Sequence, residues 1–229
     1  DRYASRGLGD VYKRQNLATA ILIVPLRSPA LLAKTAASLD AISNGRLELG
    51  VGLGWQEEEY EASGIAFDQR GKIFWETLDI CQSLWKGGPV SHKGEMFEFN
   101  DIWCHPTPPQ GSDIPLLFGV KMTESNAQKI AKIGHGWIPI KTSRDFISEG
   151  SEKLNNAFKE AGRDDKPRIR GQLPTCVDSN GLPSVDLTLK ELEKSMEAGL
   201  EEIEVFPINF AQSPDHLREV LELIGELKK

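Results

Sequence analysis

Three glycines at alternate positions, Gly50, Gly52 and Gly54, close an apolar run that ends in Trp55. A backbone bare of side chains lets a flat ring lie close to a strand end, and it equally suits a bulge or a tight corner. A second segment, Gly119-Val120-Lys121-Met122-Thr123, joins an apolar run to a helix-forming one. Free N–H groups and the helix dipole at such a junction favour a phosphate; the same residues also read as a plain helix start with Thr123 as N-cap. The remaining candidates are dispersed. His92, His105, His135 and His216 lack metal-ligand spacing, so no metal site is expected, and they read as structural or surface residues. No Ser-His-Asp or Cys-His arrangement can be assembled. Glu57-Glu58-Glu59 reads as a solvated helix start favourable to the dipole, with a substrate-facing role as the alternative.

The elements that must position these residues alternate regularly. Residues 16–26 (NLATAILIVPL) form a continuous apolar run of the kind found in strands buried on both faces. Ser28 and Pro29 then supply an N-cap and a first-turn proline for a helix over 30–42, with Leu31, Leu32, Thr35, Leu39 and Ile42 at helical spacing. Residues 46–55 read as a second strand and 69–85 as a helix. Residues 87–114 break the rhythm with turn residues, short aromatic alternation and a proline cluster, and read as an inserted hairpin and loop. Strands over 115–120, 136–140, 168–177 and 202–207 follow, paired with helices over 123–133, 144–161, 187–198 and 214–227. Such alternation implies right-handed crossovers and a parallel sheet. The expected fold is an α/β, (β/α)8 TIM barrel; six units are visible, so a closed barrel would need about two more before them. An open doubly wound sheet would usually show a glycine fingerprint after its first strand and an acidic residue about 20 positions on, and neither stands in register.

Composition sets outer limits. The chain of 229 residues, 39% hydrophobic and 27% charged, suits one large folded domain. A net charge of -7 without a basic stripe argues against a nucleic-acid partner. No apolar run approaches the roughly 18 residues of a membrane helix, so no membrane partner is expected. Cys81, Cys104 and Cys176 are odd in number and widely spaced, which fits reduced thiols in a cytoplasmic protein. Residues 5–15, SRGLGDVYKRQ, resemble the in-frame translation of a transposon-based sequencing adapter. Residues 1–15 are therefore expected to be foreign, and 16–229 to be one barrel domain lacking its natural start.

Several segments, in order, resemble the bacterial luciferase-like family over nearly all of 16–229. PLRSPALLAKTAASLDAISNGRLELGVGLGW (25–55) is similar to its third strand, third helix and glycine-ended fourth strand. EEEYEASGIAFDQRG, PTPPQGSDIPLLFG and IAKIGHGWIPI resemble, in turn, its acidic helix start and turn, its proline-rich lead into the fifth strand and its Gly-Asp-Gly-Trp strand, with His135 in place of the acidic residue. The resemblance implies a barrel missing its first two strand–helix units, and a bound F420 or FMN. It places the ring near Leu22 and Ile23, on a strand whose 22–25 stretch usually carries a non-proline cis peptide. Gly52, Gly54 and Trp55 would complete the ring site, and Gly119, Val120, Lys121, Thr123, Trp137 and Pro139 the phosphate end. The loop departs from the family's commoner two-glycine form. The Gly-Trp strand ends look most like the F420 branch, which implies hydride transfer to or from a small organic substrate. An FMN-dependent monooxygenase acting with oxygen and a non-catalytic flavin-binding subunit are the alternatives. That branch often uses a histidine from its second strand, so the catalytic group is expected upstream and this fragment to be inactive. A homodimer would be in keeping with the family.

Overall fold

The computed structural model describes residues 15–211 and 213, and the chain falls into two compact units, Asp1–Gly119 and Val120–Lys229. The adapter-like segment up to residue 14, the expected last helix over 214–227 and His216 lie outside the described residues.

In the first unit, β1 (Leu17–Ile23) leads through a short 3-10 turn at Val24–Leu26 to α1 (Pro29–Ser43), β2 (Leu47–Gly52), the short α2 (Glu57–Ala62) and α3 (Arg70–Trp85). A hairpin of β3 (Val90–Lys93) and β4 (Glu98–Ile102) follows, then β5 (Leu116–Gly119). β2 lies between β1 and β5, parallel to both, and all six of its residues are buried. The expected strands at both ends of α1 therefore pair as a parallel sheet. Strand β1 ends earlier than the apolar run because Val24-Pro25-Leu26 turns, with Pro25 buried and unable to donate to a ladder. Asn44 stops α1 in the left-handed conformation, φ 59°. Residues 90–102 form a hairpin, and the Glu76 carboxylate of α3 holds its turn, accepting from Met96 N at 3.0 Å and Phe97 N at 2.9 Å. The core joins Phe74, Leu78 and Trp85 of α3 to Leu49, Val51 and Phe118 of the sheet.

One sequence expectation fails on α1. Leu31, Leu39 and Ile42 are 64%, 38% and 84% exposed, and the buried face is Leu32, Ala33, Ala36, Ala37 and Asp40. Small side chains win this face because they let α3 approach closely, with the Trp85 indole donating to the Ala33 carbonyl at 3.0 Å. Asp40 closes the other end, accepting from Leu47 N, Gln110 N and the Gln110 amide.

The second unit runs α4 (Glu124–Ile133), β6 (Gly136–Trp137), α5 (Arg144–Glu160), β7 (Arg168–Gln172), α6 (Val185–Glu197) and β8 (Glu202–Glu204). β7 is parallel to β6 on one side and to β8 on the other. A side chain at Gly136 would put its Cβ 2.1 Å from the Arg168 carbonyl oxygen, so only glycine permits this strand spacing. β6 is two residues rather than the expected five because the chain reaches Pro139 at once. β7 stops at Gln172, and the expected continuation becomes a turn in which Asp178 accepts from Asn180 N and Leu182 N. Ile147, Leu154 and Phe158 of α5 pack with Ile130, Trp137 and Ile169 in the core.

Candidate functional site

The carboxyl ends of parallel strands are where α/β proteins bind ligands. In the first unit Gly52 stands in register with Ile23 of β1 and with Gly119 of β5, so two glycines lie side by side at the last rung. Ile21 covers both. Its Cδ1 lies 2.1 Å from where a Gly52 Cβ would be, and its Cγ2 2.9 Å from a Gly119 Cβ. Ile23 does the same for Gly54, its Cδ1 and Cγ2 both 3.1 Å from that residue's absent Cβ. Gly54 has φ +71°, a conformation open to glycine, and presents Trp55 with 85% of its surface exposed.

The bare strand ends are thus a shelf faced by isoleucine. Ile21 was not among the expected residues, whereas Leu22 was. Leu22 lines a groove with Leu26, Arg27, Leu31 and Leu32 on the α1 side. The non-proline cis peptide also differs from expectation, joining Ala20 to Ile21 and not falling within 22–25. The register of β1 against β2 shifts between Thr19 and Leu22, the stretch that holds this bond. Any side chain at Gly52 or Gly119 would stand where Ile21 now lies, so the two glycines make room for that isoleucine.

In the second unit Val120 is buried and Lys121 exposed, and Thr123 caps α4 by accepting from Asn126 N at 3.2 Å. The Asn126 amide donates back to the Lys121 carbonyl at 2.9 Å, which closes the loop. Trp137 is fully buried, its indole N–H donating to the Val120 carbonyl at 2.9 Å and its ring lying against Gly150. It braces the loop and has no N–H left to offer a ligand. Pro139 lies beside Gly171, near Thr142 and Leu200. Lys121 brings a cation to the loop, while Glu124 in the first turn of α4 brings an anion that opposes a phosphate.

A charged ladder on β7 and β8 escaped the sequence reading. Arg168 and Arg170 donate to the two Glu202 oxygens at 2.5 and 2.6 Å. Burial pushes the Glu202 carboxyl up, but these two hydrogen bonds outweigh it and hold it below its ordinary value. Glu204, at the carboxyl end of β8, has a buried Oε1 without a hydrogen-bond partner. Burial raises its carboxyl pKa, Arg170 lowers it, and Glu202 raises it further; the net shift is upward. The Arg-Ile-Arg and Glu-Ile-Glu alternation was the available signal, since a period of two puts all four charges on one strand face.

The four histidines divide as follows. His92 bonds Glu76 at 3.0 Å, His105 stacks on Trp103, His135 is half-buried, and His216 lies outside the described residues. Among the described residues no group of His, Cys, Asp or Glu could hold a metal ion, and no helix is long and apolar enough to cross a membrane.

Parallel strands, crossover helices and glycine-bearing loops at the strand ends define an α/β protein of the TIM-barrel-like class. Within it, the model of the luciferase-like monooxygenase family matches residues 12–181, and the chain belongs to that family. It is 36% identical over 171 residues to the uncharacterised protein Rv0953c of Mycobacterium tuberculosis, covering 74% of this chain and 60% of that one. The chain thus spans about 60% of the length of that relative. Among solved structures it is similar to the coenzyme F420-dependent tetrahydromethanopterin reductase of Methanopyrus kandleri, with TM-score 0.69 and 17% identity over 90% of this chain and 80% of that chain. It is also similar to the oxygenating constituent of 3,6-diketocamphane monooxygenase from Pseudomonas putida in complex with FMN, with TM-score 0.60 and 22% identity over 71% and 49%.

Proposed function

We propose that the protein is an oxidoreductase that binds coenzyme F420 and moves hydride between it and a small organic molecule in the cytoplasm. The observation that carries this reading is the Ile21 shelf across Gly52 and Gly119, with Trp55 exposed beside it. When bound, a deazaflavin supplies the carbon that accepts or gives up hydride. The residues of this chain do the rest of the binding work. Ile21, seated over the two glycines, offers one apolar face, and Trp55 offers an aromatic one. In the second unit, Lys121 is the cation that the loop before α4 offers a phosphate, against the opposing charge of Glu124. The Gly54-Trp55 and Gly136-Trp137 strand ends and the likeness to an F420-dependent reductase support F420, while the family itself accords with either F420 or FMN. The three free cysteines accord with a reducing compartment.

Separate equilibrium titrations with F420 and FMN, read by quenching of tryptophan fluorescence, test the proposal. Saturable F420 binding in the micromolar range with no FMN binding is expected. Binding of FMN alone would replace it with an FMN-dependent monooxygenase, and binding of neither would overturn the cofactor reading.

A further inference from the structure

We propose that Tyr60 is the positioning residue of the Gly52–Trp55 loop, its hydroxyl holding the Leu53 carbonyl so that the shelf and Trp55 keep the geometry a planar cofactor needs. This rests on the cofactor reading above. The sheet ladder of β2 ends at Gly52, its last residue in register with either neighbour. Leu53 is the first residue beyond it, and its carbonyl needs a new donor. The Tyr60 hydroxyl supplies one from α2, seven residues on.

Tyr60 is completely buried, and phenylalanine would fill the same space; the hydroxyl is what the loop requires. Burial raises the phenol pKa above its ordinary 10.0, so the group stays protonated and remains a donor. The ring is held from behind. Phe67 meets it edge to face at 5.1 Å, and the Arg70 guanidinium lies 3.6 Å over the Phe67 ring while donating to the Phe67 carbonyl at 2.6 Å. Ile65 N donates to the Tyr60 carbonyl at 3.0 Å, which fixes its backbone. The loop is therefore pinned on one side by Tyr60 and on the other by Ile23 under Gly54. Between those pins Trp55 stands outward.

The test compares Tyr60→Phe and Tyr60→Leu with the unaltered protein, by amide hydrogen exchange across Gly54–Gln56 and by F420 and FMN affinity. If the hydroxyl positions the loop, Tyr60→Phe alone speeds exchange there and weakens cofactor binding, each about tenfold, with exchange in α3 unchanged. If Tyr60→Phe matches the unaltered protein in both readouts and only Tyr60→Leu loses them, Tyr60 is packing and the proposal falls. Faster exchange with unchanged affinity also overturns it, because the loop would then not bear the ring. Should the unaltered protein bind neither cofactor, the functional reading fails separately, and an unchanged exchange rate in Tyr60→Phe would still refute the anchoring.

Discussion

Ile21 is the residue on which the shelf turns. It fills the space that Gly52 and Gly119 leave, so the glycines and the isoleucine form one surface. Gly52→Ala would place a methyl 2.1 Å from Ile21 Cδ1 and 3.0 Å from the Gly119 carbonyl oxygen. The contact with Ile21 is by far the tighter of the two, so it is the isoleucine that must be displaced. Gly52→Ala is expected to cost about 1–3 kcal/mol by urea denaturation, as overpacked sites do. It should cost distinctly less in an Ile21→Ala background, where the clash is relieved. Equal costs in both backgrounds would show that the two residues are not coupled. The glycines were legible in the sequence because only their type mattered. Ile21 was not, because the facing of residues 20–23 depends on a register irregularity between Thr19 and Leu22 that no local pattern announces.

At the scale of elements, strand–helix alternation and the hairpin were readable from apolar periodicity and turn residues. The buried face of α1 was not. Counting hydrophobicity favoured Leu31, Leu39 and Ile42, but close packing on α3 selected the alanines. The hairpin also depends on one contact that sequence could not reveal. Glu76 Oε1 and Oε2 take the Met96 and Phe97 amides, and His92 Nε2 lies 3.0 Å from Oε1. Burial pushes the Glu76 carboxyl up, yet the bonds from His92 and the two amides outweigh it, leaving it below the ordinary 4.5. A carboxylate with a depressed folded pKa gives its full stabilisation above its unfolded value and loses it as pH falls through the folded one. Exchange protection of the Met96 and Phe97 amides should therefore hold above about pH 4.5 and collapse only below it. Glu76→Ala should abolish that protection at neutral pH, at a cost of about 2–3 kcal/mol. Protection unchanged in Glu76→Ala would show that the hairpin is held by other contacts.

For the whole molecule, the described residues of each unit keep the order of elements that the sequence implied, and membership of the luciferase-like family fixes the class to which they belong. The thiols extend that comparison from composition to accessibility. Cys81 has no exposed surface, and its Sγ lies 3.7 Å from the Pro29 carbonyl; Cys104 is 1% exposed. Burial raises both thiols, with Cys104 adding to the shift at Cys81, whereas Cys176 is only half-buried. Since the thiolate is the reactive form and must be reached by solvent, reactivity should follow exposure. A thiol-specific chromogenic reagent at neutral pH is expected to modify Cys176 promptly in the native protein, and all three cysteines only after denaturation in urea. Prompt modification of Cys81 or Cys104 under native conditions would mean that α3 and the segment after β4 open far more readily than their packing allows. Loss of the third thiol even in urea would mean that a cysteine is already oxidised, contrary to a protein that keeps its thiols reduced.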